Sequence, residues 1–335
     1  MLASVGMKQY SHVYVALKSV ELVYDGLARL ETLGGKRASS KIRGRYREEA
    51  SRLQHLLDIH RGFTLEAAWA PDMVLTDMHN HTFKLYRDDD FPGVGLGQEP
   101  PAEATVRDGK TVYYRESGAA PYRIDHLARF INNSMRLKAY SDCFSHEQVL
   151  YLMLLLSHYI VDVNVPFHCD ARDLKFKAGM PGDKRFYYKT TKVHGQQAHA
   201  WVEEQWERAC LDLGHGTLFK AMRGEYEDEA GKSTLSDYVA LEADAKGIKP
   251  VLVTRSNLLR YLTRMCIRSK QLSHAFVNPQ DQRERALSSS ELSDCLDAAL
   301  VEHTRTVFER SVSAVISIWM FCWLYPETNK DAAGD

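Results

Sequence analysis

Apolar residues recur every three or four positions along most of the chain, which is the pattern of helices that bury one face. The first such stretch carries Val13, Leu17 and Val20 on one side. The most apolar run, residues 315–325, is too short to cross a bilayer and therefore predicts a buried C-terminal helix and a chain that is not transmembrane. The pattern predicts helices over residues 11–33, 40–60, 122–140, 145–164, 196–213, 216–227, 233–245, 251–276 and 289–323.

Two segments break this helical pattern. Residues 87–121 are rich in glycine and proline and contain a strand-like stretch from Thr111 to Arg115, which predicts a long loop with room for a small hairpin. Residues 169–193 mix lysine and arginine with aromatic residues and predict a second long loop. Because candidate ligands lie on both sides of each segment, neither is a domain linker. We expect one all-α, multi-helix domain over residues 1–335 with two substantial loops.

Composition and charge narrow the classes of function. The chain has 335 residues, is 44% hydrophobic and 26% charged, and carries a formal net charge of −1. No overall basic field favours nucleic acid or anionic lipid, so a polyanionic substrate would need a local site such as bound metal ions. The cysteines lie far apart without a CxxC motif, and the N-terminus lacks the pattern of a signal peptide. We expect a cytoplasmic protein with reduced thiols, and the sequence points to no stable protein partner.

The run LLLSHYIVDVNVPFHCD at residues 154–170 has the spacing of a metal site. His158 and Asp162 are four residues apart, so on a helix an imidazole and a carboxylate lie one turn from each other. The surrounding residues are apolar, and a buried carboxylate needs a cationic partner. Pro166 should end this helix, which leaves His168 free to face a second ion nearby.

A second pair, His199 and Glu203, repeats the four-residue spacing. Upstream, Asp72, Asp77, His79 and His81 are further candidates, and His12 lies at the start of the first helix. Each piece alone is ordinary, since a histidine and a carboxylate on one helix face are common and an aspartate after a proline can simply cap a helix. The conjunction favours a zinc site, because imidazole and carboxylate donors suit zinc with an open position for water.

At these residues the chain resembles the superfamily of zinc-dependent phospholipase C and the single-strand-specific nucleases. The family's central motif, His-x3-Asp-x5-His, is matched by His158, Asp162 and His168. A later motif with a tryptophan between its ligands is matched by His199 and Glu203, and the glutamate is more similar to the phospholipase branch than to the nuclease branch.

The resemblance extends upstream in sparse patches, from residue 12 to about residue 207. The phrase WAPD followed by HTFK resembles the family's upstream ligands and favours Asp72 and His81 over Asp77 and His79. His12 is placed like the family's N-terminal ligand histidine.

The resemblance implies three zinc ions, of which two are expected here. The implied ligand sets are Asp72, His81, His158 and Asp162 for the first ion, His168, His199 and Glu203 for the second, and His12 with a bridging Asp162 for the third. Family members complete the third site with an N-terminal tryptophan, whereas the first tryptophan here is Trp69. That departure puts the third zinc in doubt.

The chemistry implied is hydrolysis of a phosphodiester by zinc-bound hydroxide, with Asp72 as the family-matched residue that orients or deprotonates the water. Glu203 favours a phospholipase C, whereas the basic, aromatic segment 169–193 would also suit a single-strand nuclease or 3′-nucleotidase. Small phosphate monoesters are a further possibility. A hypothesis from another class is a non-catalytic helical protein with structural zinc, against which the mixture of histidines and carboxylates speaks.

Overall fold

Helices form almost all of the regular structure in the described part of the chain. The computed structural model describes residues 9–86, 105–108, 111–138, 144–171, 182–213, 233–241, 245–277 and 287–324. The helices are α1 (Gln9–Gly26), α2 (Ser40–Ile59), α3 (Phe63–Ala67), α4 (Ala120–Lys138), α5 (His146–Asp162), α6 (Gly182–Leu213), α7 (Ser236–Val239), α8 (Leu258–Phe276) and α9 (Ser289–Trp323). Short 3-10 turns lie at Leu27–Arg29, Met78–Asn80 and Pro166–Cys169, and a π-helical turn at Pro71–Leu75. The all-α prediction is confirmed.

Helix α5 is the centre of the fold, and its ends are defined by local sequence. Ser145 and Gln148 form a capping box at its start, in which each side chain binds the other residue's backbone N–H. The helix ends at Asp162, four residues before Pro166. Every residue from Met153 to Asp162 is buried, and the neighbouring helices α1, α3, α4 and α9 pack around the helix. The apolar run at the end of the chain is part of α9, where Trp319 donates to the carbonyl of Met153 at 2.7 Å.

The start of α1 is held in place by a side chain from α6. Glu207 accepts hydrogen bonds from the backbone N–H groups of Tyr10 and Ser11, at 2.8 and 3.0 Å, and from the Ser11 hydroxyl. A carboxylate at this position satisfies free N–H groups and complements the positive end of the helix. The contact fixes the first turn of α1, which carries His12.

A small antiparallel sheet is formed by two strands within residues 87–121 and one strand just before them. Its strands β1 (Lys84–Tyr86), β2 (Thr105–Asp108) and β3 (Thr111–Ser117) follow the order β1-β3-β2. Val106 pairs with Tyr113 in the hairpin, and Leu85 pairs with Arg115 on the other side. The hairpin expected within residues 87–121 is therefore present, with a strand that runs two residues beyond Arg115, and residues 87–104 lie outside the described part.

Three helices are shorter than predicted because backbone groups near their expected ends form hydrogen bonds with residues distant in the sequence. The helix expected over 11–33 stops at Gly26 and its 3-10 turn, since Glu31 donates to the Pro250 carbonyl at 2.8 Å. The one expected over 251–276 begins only at Leu258, because Leu252 donates to the Glu31 carbonyl. Of the one expected over 233–245, the described residues 233–241 form only α7, since the buried Tyr14 hydroxyl accepts from the Leu241 N–H.

The prediction of a long loop over residues 169–193 is also wrong for the second half of that range. Residues 182–193 form the beginning of α6, which continues to Leu213. Residues 183–193 contain neither glycine nor proline, so nothing in their composition prevents a helix. Residues 172–181 and the helix predicted over 216–227 lie outside the described part.

Buried apolar side chains from all these helices form one contiguous cluster. No helix in the described ranges is both long and apolar enough to cross a membrane.

Candidate metal centre

All eight predicted ligands converge at one place in the core. The turns and helices that carry them are α1, the π-helical turn, the residue after the second 3-10 turn, α5, the third 3-10 turn and α6. The converging residues are His12, Asp72, His81, His158, Asp162, His168, His199 and Glu203. All are buried except Asp72, whose side chain is 15% exposed.

Asp162 lies in the middle of this cluster. Its Oδ2 is 2.9 Å from His81 Nδ1 and 3.2 Å from His158 Nε2. Its Oδ1 is 3.1 Å from His168 Nδ1 and 3.7 Å from His12 Nε2. The two oxygens of one carboxylate thus face two different groups of imidazoles, which is the arrangement of a bridging ligand.

The second predicted pair forms its own group beside His168. Glu203 Oε1 lies 2.8 Å from His199 Nε2 and 3.3 Å from His168 Nε2. Phe167 stacks on the His199 ring with centroids 5.2 Å apart and restricts its orientation. Because His168 presents one nitrogen to Asp162 and the other to Glu203, it connects the two groups.

Asp72 joins the first group from its exposed side. Its Oδ1 lies 3.4 Å from His81 Nδ1 and 3.6 Å from His158 Nε2. Donor atoms within 4.8 Å of one another form three possible ligand groups: His12, Asp72 and His158; His81, His158 and Asp162; and His168, His199 and Glu203. The first of these differs from the set that the resemblance implies for a third ion, because it draws in Asp72 and His158 and leaves Asp162 out.

The outer nitrogens of two histidines are held by protein groups. His158 Nδ1 lies 2.8 Å from the Ala68 carbonyl, and His81 Nε2 lies 3.0 Å from Asp77 Oδ1. Asp77 also accepts from the Tyr159 hydroxyl at 2.9 Å. Since a carbonyl or a carboxylate requires a donor, each imidazole carries a proton on its outer nitrogen and turns its other nitrogen inward, where it can bind a metal ion once that nitrogen is deprotonated.

Sequence reasoning set Asp77 aside as a ligand and did not give it this supporting position. The signal was present, because Asp77 and His81 are also four residues apart, although they span a 3-10 turn. His79 is exposed, and its backbone carbonyl accepts from the Ala119 N–H. The preference for His81 over His79 therefore agrees with the positions of the two side chains.

Burial and mutual charge perturb the titration of the cluster. Burial alone would lower the pKa values of His158 and His168, but Asp162, with Asp72 near His158 and Glu203 near His168, raises each to about 10. Burial would raise the pKa of Glu203, but His199 and His168 lower it to about 2. The pKa of Asp162 is lowered well below its usual range by His158 and His168, against burial. Burial and the nearby His158 lower the pKa of His12.

The polar atoms of the cluster fit a cation better than they fit one another. Both nitrogens of His12, Asp162 Oδ2 and His168 Nδ1 are buried without a hydrogen bond of acceptable geometry. The inward nitrogens His81 Nδ1 and His158 Nε2 lie only 3.1 Å apart, beside the Asp162 carboxylate. Lone pairs that face each other repel unless a proton or a metal ion lies between them, so this donor set fits zinc.

Comparisons with known proteins add little to this picture. No family model and no curated protein matches the chain. Among solved structures, Clostridium perfringens alpha-toxin from the avian strain SWCP is similar, with a TM-score of 0.43 and 13% identity over 96% of this chain. The chain spans 65% of the length of that structure. So distant a likeness carries no weight for function.

Proposed function

We propose that this chain is a zinc-dependent phosphoester hydrolase of the phospholipase C type. The observation that carries the proposal is the environment of Asp162, whose two oxygens face the inward nitrogens of His81, His158 and His168 at 2.9 to 3.2 Å. Mixed imidazole and carboxylate donors are typical of catalytic zinc, whereas structural zinc is more often held by cysteine-rich closed sets.

Two ions are proposed, with Asp162 between them. His81, His158 and Asp72 would hold one, and the group of His168, His199 and Glu203 would hold the other. For a third ion, His12 is the ligand that we propose. Zinc bound there would lower the pKa of a bound water and neutralise phosphoryl oxygens.

Asp72 is the residue we assign to proton transfer. Its 15% exposure makes it the ligand most accessible to water and substrate, while Asp162 and Glu203 are almost fully enclosed. Hydrolysis forms a bond from a water oxygen to phosphorus and breaks the bond from phosphorus to the leaving oxygen. The Asp72 carboxylate accepts the proton of that water and returns it to the leaving oxygen.

A phospholipid-type phosphodiester is the proposed substrate class. Glu203 supports it through the resemblance to the phospholipase branch. The open loop that would suit a nuclease is absent over residues 182–193, because these residues of the basic, aromatic segment belong to α6.

Metal analysis combined with phosphodiester hydrolysis tests the proposal. The purified protein is dialysed, its zinc is measured by mass spectrometry, and it is assayed on p-nitrophenyl phosphorylcholine, bis(p-nitrophenyl) phosphate and single-stranded DNA. We expect about two zinc ions per chain and turnover on the phosphocholine ester. His158→Ala should lose both zinc and activity and keep its helical circular dichroism, whereas His126→Ala, an exposed histidine on α4, should keep both.

Three outcomes would contradict the proposal in different ways. Zinc without turnover on any of these substrates would indicate a non-catalytic zinc protein. Preferential cleavage of single-stranded DNA would favour the nuclease alternative. Full zinc content and rate in His158→Ala would remove that residue from the site.

A further inference from the structure

Exposed apolar side chains border the candidate metal centre. Met73, Val74, Leu75 and Met78 are 65%, 73%, 42% and 49% exposed. Single exposed apolar residues are common on any surface. Four within six consecutive positions form a patch whose hydration is unfavourable in free energy. We call these four residues the apolar rim.

The apolar rim is on the same segment as the site. Asp72 precedes it, His81 follows it, and Asp77 lies between its members with its carboxylate turned inward to His81 and Tyr159. Thr76 has the left-handed conformation, with φ of 47°, which is unfavourable for a β-branched residue. One side of the segment therefore supports ligands while the other presents apolar groups to solvent.

The first turn of α4 lies next to the segment that carries the apolar rim, since Ala119, the residue before the helix, donates to the His79 carbonyl at 2.9 Å. On that turn Tyr122 is 41% exposed, and the Arg115 guanidinium lies 5.8 Å from its ring centroid. Arg123 Nε lies 3.7 Å from Asp77. Tyrosine and arginine beside apolar residues are suited to the boundary between lipid headgroups and acyl chains.

The charge of the segment argues against other large ligands. Its exposed residues at 73–76, 78 and 79 include no lysine, arginine, aspartate or glutamate. A nucleic-acid strand would need cations along its backbone, and the apolar rim offers none.

We propose that the apolar rim docks on the surface of a phospholipid bilayer and places a headgroup phosphodiester beside the candidate metal centre. The choice of lipid as the occupant rests on the proposed function. The side chains of the apolar rim enter the outer acyl region, while Tyr122 and Arg115 remain among the headgroups.

Vesicle binding with a matched pair of double variants tests this docking. Val74→Ser/Leu75→Ser shortens the apolar rim without touching a ligand. Ile59→Ser/Leu137→Ser is the control, because these residues on α2 and α4 are 60% and 55% exposed. The zinc-loaded proteins are sedimented with phosphatidylcholine vesicles, and hydrolysis is measured on the vesicles and on monomeric p-nitrophenyl phosphorylcholine.

The rim variant should bind vesicles about tenfold more weakly than the wild type, whereas the control should bind equally well. Hydrolysis on vesicles should fall with binding, and the rate on the monomeric ester should not change. Absence of vesicle binding by the wild type, or equal loss in both variants, would overturn the docking proposal. So would a dimer that the rim variant alone dissociates, because the occupant would then be a second copy. Rim-dependent binding without hydrolysis of any ester would uphold the docking and refute the proposed function.

Discussion

Two buried aspartates on either side of His168 show how a candidate ligand site differs from a structural ion pair. Asp170 is satisfied by the protein, since Lys270 Nζ lies 3.4 Å from its Oδ1 and Ser273 donates to its Oδ2 at 2.7 Å. Among the described residues, the Asp162 carboxylate lies beside four imidazoles, and its Oδ2 has no hydrogen bond of acceptable geometry. Both are almost fully buried. Burial of charge alone therefore does not point to a metal site, whereas unsatisfied buried atoms gathered among imidazoles and carboxylates, as around Asp162, favour one.

The largest expected effect is a loss of zinc and activity when Asp162, unlike Asp170, is changed. Asp162→Asn keeps the shape of the side chain and removes the charge that faces both groups of imidazoles. We expect zinc loss and a fall in kcat/KM beyond the roughly 10- to 100-fold typical of lost supporting contacts. Zinc content and hydrolysis of p-nitrophenyl phosphorylcholine measure it. Retained zinc and rate would show that Asp162 is a structural residue like Asp170.

The second-largest expected effect is a loss of stability when the ion pair between Lys270 and Asp170 is broken. Lys270→Met leaves the buried Asp170 without its cation, which should cost about 3–5 kcal/mol in the free energy of unfolding. Urea denaturation measures the loss, and Lys246→Met, an exposed lysine, is the control. Zinc per folded molecule should not change. The double variant Lys270→Met/Asp170→Leu should recover part of the lost stability. If Lys270→Met lost more zinc than its unfolded fraction explains, the pair of Lys270 and Asp170 would belong to the metal centre.

A smaller effect, on zinc affinity, is expected when Asp77, which lies beside His81 Nε2, is changed. Asp77→Asn weakens the acceptor that orients the imidazole through its Nε2. Zinc affinity should fall about 10- to 100-fold, with little change in the free energy of unfolding. Competition with a zinc-binding dye measures the affinity, and Asp58→Asn, in an exposed pair with Arg61, is the control. Equal affinities in both variants would exclude Asp77 from a supporting role.

The smallest effect is the pH dependence of the metal-free protein. The pKa values of His158 and His168 are raised to about 10, so their stabilisation is complete below the usual value of 6.5 and is lost as the pH rises from 6.5 towards 10. The pKa of Glu203 is lowered to about 2, so its contribution is present above 4.5 and is lost as the pH falls towards 2. Thermal unfolding after chelation should therefore show Tm declining above pH 6.5.

Zinc should remove this decline, because coordinated imidazoles carry no proton on the inward nitrogen. Zinc uptake at pH 7 should release protons, which titration calorimetry in buffers of different ionisation enthalpy can count. Identical pH profiles with and without zinc would contradict protonated histidines in the metal-free cluster.

The features that could be read from the chain alone are those set by neighbouring residues. The four-residue spacing of His158 and Asp162, and of His199 and Glu203, became facing ligand pairs because one helical turn brings such residues together. The start of α5 at Ser145 followed from a local capping residue. The choice of Asp72 and His81 came from the resemblance, since nothing in their own spacing predicts contact with α5.

Long-range packing decided the rest. His81 meets His158 across 77 positions of sequence, and Asp162 lies between two groups of imidazoles only because separate helices and turns place histidines on both sides of it. Helices expected near residues 241 and 252 were shortened because Tyr14 and Glu31 bind their backbone groups. Helical periodicity is a property of a few neighbouring residues, whereas these contacts depend on how the whole core packs.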